Sequence, residues 1–406
     1  MPQRILFISN GHGEDNHSSY VIRRLQAVRP DLEIAAIPIV GQGHAYRKRG
    51  VPIKSPTLTL PSGGFTYMDR WRLVDDIRAG LVGLTWQQIQ SVRREAPGYD
   101  LVFATGDLVG QAFAYLSGRP FITFISPLSA MYEGKLQVDL ILQSILRSQR
   151  CLTVFTRDTH TANDLQRQGF QKAQFGGIPS LDWLKPQGKD LQLDLTRPMM
   201  ALLPGSRLPE AVRNFRLQLA LAREIARLNP QIQFRAALVP ELMQQLPEIA
   251  PTAGWQLQAG LLTNVVEPYI KVRCYSDAFN DIVCSTTLVL GMAGLAVDQA
   301  VAIGKPVLQI PGEGPQFTYA FAEAQNRLLG LSATTIGTQP ADAETLRQAA
   351  RKALEIVQDQ TYLAACIENG QQRFGPLGAS TRMAQAVIDY LDAAPGTVQA
   401  GDITAA

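Results

Sequence analysis

Short runs of Val, Ile, Leu and Phe alternate with longer segments of helical period along most of this chain. Such alternation is typical of parallel sheets whose strands are joined by crossover helices. In the first half it predicts strands at Ile5 to Ser9, Ile34 to Pro38, Leu101 to Thr105, Phe121 to Ile125 and Leu152 to Phe155. The helices predicted between them span residues 17–29, 69–95, 108–117 and 158–168.

The alternation pauses across Gly176 to Pro198, where glycine, prolines and charged residues indicate a linker, and then resumes. The second series predicts strands at Met200 to Leu203, Gln233 to Leu238, Asp281 to Cys284 and Pro306 to Ile310. Its predicted helices span residues 209–228, 289–303, 317–328 and 342–357. The fold class expected is therefore α/β, with two Rossmann-like doubly wound domains.

The length of 406 residues also favours two domains, because a single hydrophobic core usually serves a shorter chain. We expect an N-terminal domain at 1–185 and a C-terminal domain at 196–375. A last helix should lie within 376–394, and the small, polar residues 395–406 should form a disordered tail.

Composition excludes several classes of protein. Charged residues make up 18% of the chain and the net charge is +3, without the basic stripe of a nucleic-acid-binding protein. The four cysteines are scattered and read as reduced thiols, and Asp190 to Asp194 lacks the Asp-x-Asp spacing of manganese-dependent sugar transferases, so we expect no metal. No signal peptide or run of about 20 apolar residues is present, which favours a cytoplasmic protein.

Ligands of open parallel sheets bind at the carboxyl ends of the strands, where helix amino termini offer unpaired N–H groups. The first predicted strand ends in such a motif, Asn10 to Asp15. Its two glycines allow a close approach to a ligand, and its His, Glu and Asp could take or relay a proton. Alternatively the glycines only form the turn and the aspartate caps the helix. The motif lacks the Gly-x-Gly-x-x-Gly spacing of nicotinamide enzymes. The candidate residues are Gly11, His12, Gly13, Glu14 and Asp15.

Asp107 follows the predicted strand Leu101 to Thr105 and precedes a helix. A carboxylate at this strand end could act as a general base toward an acceptor hydroxyl. An ordinary helix N-cap would have the same sequence, and the two interpretations stay open.

Leu203 to Arg207 ends the first strand of the second series and leads into a helix. Small residues expose backbone N–H groups to an anion, Ser206 adds a hydroxyl, and Arg207 can donate to phosphate oxygens, so Gly205, Ser206 and Arg207 predict a diphosphate site. A plain turn with a surface arginine is the alternative.

Small residues recur from Gly291 to Gly294, and polar side chains follow at Gln299 and in the loop that holds Gln316. Phosphate or ribose could lie against such a backbone, and a polar side chain one turn later could bind ribose hydroxyls. Close packing of a helix on the sheet would also select Gly and Ala. The donor-site candidates here are Gly291, Met292, Ala293, Gly294, Gln299 and Gln316.

These motifs resemble those of lipid-A-disaccharide synthases. Leu203 to Arg207 is similar to their Pro-Gly-Ser-Arg motif, followed by an acidic residue, here Glu210. Gly13 to Asp15 resembles part of their Gly-Glu-x-Ser-Gly-Asp start, without its serine and second glycine. Asp100 to Asp107 resembles the segment that carries their essential aspartate, and Ile125 to Pro127, with Ser126, resembles a later strand end.

Gly291 to Pro306 is similar both to that family and to the peptidoglycan N-acetylglucosaminyltransferase, where a glutamate seven residues before a proline binds the ribose of UDP. Here that position holds Gln299, which can still bind a ribose hydroxyl. The resemblance fits a divergent, lipid-A-disaccharide synthase-related group.

The resemblance implies a glycosyltransferase of the GT-B type, metal-independent and inverting, with two domains facing a cleft and the last helix returning to the N-terminal domain. The donor would be a UDP-sugar, bound chiefly by the C-terminal domain, and the sugar an N-acetylhexosamine. Gly11, Gly13 and Ser126 would bind a lipid-linked acceptor. A UDP-N-acetylglucosamine 2-epimerase and a non-catalytic nucleotide-sugar-binding protein remain the alternatives.

The residues Pro56 to Arg72 combine apolar and aromatic side chains with arginine. This composition suits a membrane interface and predicts a peripheral contact with the inner face of the cytoplasmic membrane. A buried loop with a helix cap would have the same composition.

Overall fold

The computed structural model describes residues 2–57, 81–132 and 134–393. The chain divides into two compact units. The first contains the described parts of Met1–Ala130, Gly134–Asp182 and Leu377–Ala406, and the second contains those of Met131–Glu133 and Trp183–Pro376. The prediction of two α/β domains with parallel sheets is confirmed.

The N-terminal unit is built on a six-stranded parallel sheet of order β2-β1-β3-β4-β5-β6. Its strands are β1 (Arg4–Ser9), β2 (Glu33–Pro38), β3 (Leu101–Thr105), β4 (Phe121–Phe124), β5 (Cys151–Thr156) and β6 (Ala173–Phe175). Its helices are α1 (His12–Val28), α2 (His44–Arg47), α3 (Leu81–Glu95), α4 (Leu108–Leu116), α5 (Leu140–Arg147) and α6 (Thr159–Arg167). Because chain order reverses between β1 and β3, the connections leave these strands toward opposite faces.

The last described helix, α15 (Ala379–Ala393), packs in the N-terminal unit. Its buried Met383 and Val387 share one core with Ile5 and Phe7 of β1. Asp182 fixes the start of the helix, because its carboxylate accepts the N–H groups of Gly378, Ala379 and Ser380 at 2.6, 3.1 and 2.6 Å. Unpaired N–H groups at a helix start need such acceptors when they are removed from water.

The C-terminal unit contains an eight-stranded sheet of order β14-β13-β12-β7-β8-β11-β10-β9. Its strands are β7 (Met199–Leu203), β8 (Gln233–Ala237), β9 (Trp255–Gln258), β10 (Leu261–Asn264), β11 (Lys271–Tyr275), β12 (Leu288–Gly291), β13 (Val307–Gln309) and β14 (Ala333–Thr335). β10 runs antiparallel to both of its neighbours, β9 and β11. The six parallel strands follow the 3-2-1-4-5-6 order of the doubly wound fold, and chain order reverses between β7 and β12.

Helices cover both faces of this sheet. They are α7 (Glu210–Leu228), α8 (Pro240–Gln244), α9 (Leu246–Thr252), α10 (Phe279–Ser285), α11 (Leu295–Ala302), α12 (Tyr319–Leu329), α13 (Ala343–Gln358) and α14 (Gln360–Phe374). The buried face of α7 carries Phe215 and Leu219, which join the core of the unit together with Leu290 of β12.

Two secondary-structure predictions in this unit are wrong. The strand predicted at Asp281 to Cys284 is part of helix α10. A short apolar run of this kind is compatible with a strand or a helix. In the helix, the carboxylate of Asp281 accepts the N–H groups of residues 187, 188 and 189, and these hydrogen bonds favour it. The segment predicted as one helix at 289–303 is strand β12 followed by α11. The sequence merges them because no polar residues separate the two elements.

Several predictions fall outside the described residues. These are the start of the helix predicted at 69–95, the tail at 395–406 and most of the apolar segment in which we expected membrane contact. None of the helices described is long and apolar enough to cross a membrane.

Candidate functional site

In the C-terminal unit, two candidate motifs meet where chain order reverses. Gly291 at the end of β12 is the register partner of Leu203 at the end of β7. Just beyond them, the N–H of Met292 donates to the carbonyl of Leu203 at 2.8 Å. The loops that follow the two strands therefore begin side by side, at the position where doubly wound sheets bind their ligands.

The close approach of these loops requires a glycine. Gly205 has a φ of +97°, which side-chain-bearing residues rarely adopt. A Cβ atom at this position would also lie 3.1 Å from the carbonyl oxygen of Met292. Gly291 is restricted by packing instead, because its Cβ would lie 2.7 Å from a methyl group of Val297. Of the two glycines, only Gly205 is required by the contact between the loops.

Helix α7 presents a buried polar stripe, formed by Glu210, Asn214 and Gln218, which are at most 5% exposed. Their i, i+4, i+8 spacing places them on one face. The side-chain amide of Asn214 donates to the carbonyl of Pro204 at 3.0 Å and to that of Met292 at 3.5 Å. Asn214 thus bridges the two loops, whereas Gln218 donates to the carbonyl of Leu290 within β12 at 2.9 Å.

The first residue of the stripe holds a third loop, Gly312 to Phe317. Oε1 of Glu210 accepts the N–H groups of Gln316 and Phe317 at 2.9 and 2.6 Å. The guanidinium of Arg213 also donates to the carbonyl of Gly314 at 2.6 Å. Helix α7 therefore contacts all three loops that contain the predicted donor-site residues.

A second side-chain amide supports the loop after β12. Nε2 of Gln325 donates to the carbonyls of Ala293 and Gly294 at 3.2 and 3.5 Å. Its Oε1 accepts a hydrogen bond from Gln309 of β13 at 2.8 Å, so the orientation of the amide is fixed. Gln325 is 4% exposed and Gln309 is fully buried.

The predicted donor-site side chains differ in exposure. Ser206 is exposed, whereas Arg207, Gln299 and Gln316 are half-buried. Nε2 of Gln316 lies 3.7 Å from the position that a Cβ would take at Gly294, so the third loop reaches the second.

The N-cap residue is Pro209 in α7 and Gly294 in α11, and neither accepts a backbone N–H with its side chain. By contrast, the N-caps Asp107, Asp139 and Asp158 in the N-terminal unit each accept a backbone N–H. The N-cap residues of α7 and α11 therefore leave backbone N–H groups without a side-chain acceptor, and the acidic residues of these helix starts, Glu210 and Asp298, lie inside the first turns.

The N-terminal unit shows a parallel arrangement at the ends of β1 and β3. The N–H of Asn10 donates to the carbonyl of Thr105 at 3.1 Å, and its side-chain amide donates to Oδ1 of Asp107 at 2.8 Å. Gly106 has a φ of +147°, and a Cβ there would lie 2.7 Å from Cβ of Asn10. The first and second predicted motifs therefore contact each other.

Asp107 is the N-cap of α4, as one of the two interpretations required. Its Oδ1 accepts the N–H of Val109 at 2.9 Å in addition to the amide of Asn10. Burial raises the pKa of Asp107, and the hydrogen bond from Val109 partly opposes that rise. A half-buried carboxylate with a raised pKa could also serve as a base, so helix capping does not exclude the catalytic role.

The remaining residues of the first motif divide by exposure. His12 is exposed and its imidazole packs against Gly41, where the ring leaves no room for a Cβ. Glu14 is half-buried and its Oε2 lies 2.8 Å from the Cβ position of Gly11. Gly13 has open space around its Cβ position. His12 and Glu14 are therefore accessible at the start of α1.

Asp15 lies beneath this turn and is only 2% exposed. Its Oδ1 accepts the hydroxyl of Ser9 at 2.5 Å, and that hydroxyl lies 2.6 Å from the hydroxyl of Tyr46. Oδ2 is buried and has no hydrogen-bond partner among the described residues. Burial raises the pKa of Asp15 to about 8, so the carboxyl is mainly protonated at neutral pH.

Two further buried groups surround the strand ends of this unit. Burial and the charge of Arg157 lower the pKa of His17 to about 3, so the imidazole is neutral. Ser126, predicted to bind an acceptor, is 5% exposed, and its hydroxyl finds no partner in the described part of the chain.

Sequence reasoning missed the residues that hold the loops, namely Asn214, Gln325 and, in the N-terminal unit, Asn10 as a partner of Asp107. A signal existed for the first of them, because polar residues at i, i+4 and i+8 interrupt the apolar face of α7. Within the described ranges, no cluster of three His, Cys, Asp or Glu side chains could hold a metal ion.

Comparison with known proteins shows one curated relative by sequence. The lipid-A-disaccharide synthase of Azoarcus sp. (strain BH72) is 26% identical over 341 residues, which cover 81% of this chain and 77% of the relative. No protein-family model matches the chain. The comparison establishes sequence similarity to that enzyme at a modest level.

Solved structures match over nearly the whole chain. They include the S. aureus MnaA-UDP co-structure (13% identity, TM-score 0.61, covering 96% of this chain and 97% of the other). A putative UDP-N-acetylglucosamine 2-epimerase from Listeria monocytogenes gives 14% identity and a TM-score of 0.60, with 97% of each chain covered. The glycosyltransferase of kitacinnamycin gives 14% identity and a TM-score of 0.61, with 96% and 100% covered.

The fold is GT-B. It is shared by glycosyltransferases and UDP-N-acetylglucosamine 2-epimerases, so the fold leaves the choice between these two activities to the residues of the site.

The buried carboxyl of Asp15 makes stability depend on pH. Its pKa is about 8 in the folded chain against an ordinary value of 3.8, so the stabilisation by its protonated form is lost as pH rises toward 8. In Asp15→Asn a neutral amide replaces the acid, and we expect the melting temperature to fall less than that of the wild type between pH 6.5 and 8.5. Thermal unfolding across this range measures the difference.

The matched control is Asp31→Asn, because hydrogen bonds from Arg29 lower the pKa of this exposed carboxylate and place its titration below that range. Its curve should run parallel to that of the wild type. Parallel curves for the wild type and Asp15→Asn would show that Asp15 is already ionised at pH 6.5.

Proposed function

We propose that this chain is a glycosyltransferase that moves a sugar, an N-acetylhexosamine, from a UDP-sugar to a hydroxyl of a lipid or lipid-linked acceptor. The reaction inverts the anomeric centre and uses no metal ion. The observation that carries this proposal is the contact between the Pro204 to Arg207 and Met292 to Gly294 loops at the reversal point of the C-terminal sheet. Similarity to a lipid-A-disaccharide synthase supports the reaction class.

The donor diphosphate binds at these two loops. Both lead into helices whose N-caps lack a side-chain acceptor, so backbone N–H groups remain to meet the phosphate charge. Ser206 adds a hydroxyl donor and Arg207 a guanidinium that can bind two phosphate oxygens at once. The occurrence of UDP in the co-structure with MnaA, which has the same fold, supports a uridine nucleotide as the ligand.

The sugar and ribose bind next to the diphosphate. Gln299 lies on α11, one turn beyond the loop after β12, and can bind the ribose hydroxyls. Gln316, whose backbone is held by Glu210 and whose side chain reaches Gly294, contacts the transferred sugar. Glutamine at position 299 binds the ribose without adding a negative charge near the phosphates.

The acceptor binds at the strand ends of the N-terminal unit, where Gly11, Gly13 and Ser126 lie. Asp107 removes the proton from its hydroxyl, and the oxygen attacks the anomeric carbon as UDP leaves. Because its pKa is raised, Asp107 is a stronger base than an exposed aspartate and is better able to take a proton from the acceptor hydroxyl. His12 and Glu14 are the accessible alternatives, whereas Asp15 supports the turn from beneath.

A nucleotide-binding experiment tests the donor site. UDP at about 100 times its Kd should stabilise the chain by about 2.7 kcal/mol in a thermal-shift panel that includes NAD as a negative control. Arg207→Ala should raise the donor KM and lower kcat, by roughly tenfold or more in kcat/KM, because the guanidinium meets charge that develops on the leaving UDP. Steady-state kinetics with varied donor measures both constants.

Arg216→Ala is the matched control, since this arginine lies within α7, beyond the loop that holds Arg207, and donates to Thr252. It should leave both constants unchanged. A wild-type chain that is stabilised by no uridine nucleotide would contradict the donor site, and normal transfer by Arg207→Ala would remove Arg207 from it.

Substitution of the base distinguishes catalysis from helix capping. Asp107→Asn keeps an N-cap side chain, because asparagine caps helices as well as aspartate does, but it cannot accept a proton. We expect kcat to fall by about 10²- to 10⁴-fold with UDP binding intact. Asp139→Asn, at the N-cap of α5, is the control and should retain full turnover. Unchanged kcat in Asp107→Asn would assign Asp107 to capping alone.

The shared fold with a putative UDP-N-acetylglucosamine 2-epimerase makes epimerisation the second candidate function. Incubation of the wild type with UDP-N-acetylglucosamine in the absence of an acceptor separates the two activities. We expect NMR of the products to show an unchanged donor. Accumulation of the 2-epimer would replace the transferase proposal with the epimerase, and UDP binding without either reaction would indicate a binding protein.

A further inference from the structure

We propose that Asn214 and Gln325 are positioning residues of the donor site. Their side-chain amides hold the backbone carbonyls of the two donor loops on one side, which turns the N–H groups of Gly205, Ala293 and Gly294 to the other side, toward the diphosphate. The inference rests on the proposed function, because it takes the diphosphate of the donor as the ligand of those N–H groups.

The first step is the contact of Asn214 with both loops. Its Nδ2 lies 3.0 Å from the carbonyl oxygen of Pro204 and 3.5 Å from that of Met292. Asn214 is 3% exposed, so water does not replace these hydrogen bonds. An amide NH₂ group has two hydrogens and can donate to both carbonyls at once. One side chain therefore fixes the orientation of two peptide planes in neighbouring loops.

The second step follows from peptide geometry. In a trans peptide the C=O of one residue and the N–H of the next point in opposite directions. The carbonyls of Pro204 and Met292 point toward Asn214, so the N–H groups of Gly205 and Ala293 point away from it. Neither N–H donates to another residue among those described.

Gln325 has the same effect one peptide further along. Its Nε2 donates to the carbonyl of Ala293 at 3.2 Å, which directs the N–H of Gly294 away from α12. The bond from Gln309 to Oε1 prevents the amide from turning over. The carbonyls of Pro204, Met292 and Ala293 are thus held by uncharged side-chain amides.

Neutral amides suit this position for an electrostatic reason. A lysine or arginine could hold the same carbonyls, but at these buried positions its charge would have to be removed from water at a large cost in free energy. A buried amide orients the loops without that cost. Oδ1 of Asn214 is buried and has no partner in the described part of the chain. The hydrogen bonds of this side chain to the loops are therefore made by its NH₂ group alone.

Binding of UDP and of uridine to the full-length chain tests the inference. Asn214→Asp keeps the size of the side chain but replaces the donor with an oxygen, so the two carbonyls lose their partner and the peptide planes can turn. We expect the Kd for UDP to rise at least tenfold by calorimetry. The affinity for uridine, which has no phosphate, should stay unchanged in ligand-observed NMR. A general loss of folding would weaken both ligands equally.

Gln218→Glu is the matched control. Gln218 lies on the same helix face, is 1% exposed, and donates to a carbonyl within β12. The Gln218→Glu substitution also replaces an amide with a carboxylate, but one turn away from the loops. This variant should bind UDP and uridine like the wild type. Because a buried carboxylate can prevent folding, Asn214→Ala serves as a second variant, for which the same loss of UDP affinity is expected.

The outcomes separate the two proposals. If the wild type binds UDP and both Asn214 variants bind it with wild-type affinity, the positioning role is overturned and the proposed function stands. Equal weakening of UDP and uridine, or the same selective loss in Gln218→Glu, would also overturn it. If the wild type itself binds no UDP, the proposed function fails first.

Discussion

The parallel pairing of β7 with β12 is the constraint on which the C-terminal unit depends. Because Leu203 and Gly291 are register partners, the loops that follow them leave the sheet from adjacent positions. Their connections go to opposite faces, so a space opens between them at the strand ends. Gly205, with its positive φ, allows one loop to approach the backbone of the other. The placement of the donor-site candidates in these two loops follows from this pairing.

The N-terminal unit uses the same arrangement for different chemistry. Its loops after β1 and β3 also meet at a glycine, Gly106, and the side chain of Asn10 crosses from one to the other. The candidate residues there include the carboxyl groups of Glu14, Asp15 and Asp107, whereas those of the C-terminal loops include backbone N–H groups and Arg207. Two sheets of similar topology thus bring different candidate groups together at their strand ends.

Buried polar side chains hold both sites in shape. Transfer of such groups from water costs free energy unless hydrogen bonds replace the water, so each is stable only in the arrangement that supplies its partner. Glu210 meets this condition by accepting two N–H groups of the third loop, and Gln325 does so through Gln309. Asp15 meets it only in part, and burial raises the pKa of its carboxyl.

The sequence by itself determined the α/β class, the two domains and the strand ends that carry small and polar residues, because apolar period and glycine content are local properties. It could not decide Asp281 to Cys284, whose short apolar run fits helix and strand equally. Only the tertiary structure decided which loops meet and what holds them. Glu210 and Gln316 are separated by 106 residues and Asn214 and Met292 by 78, and contacts over such distances depend on sheet order and register rather than on neighbouring residues.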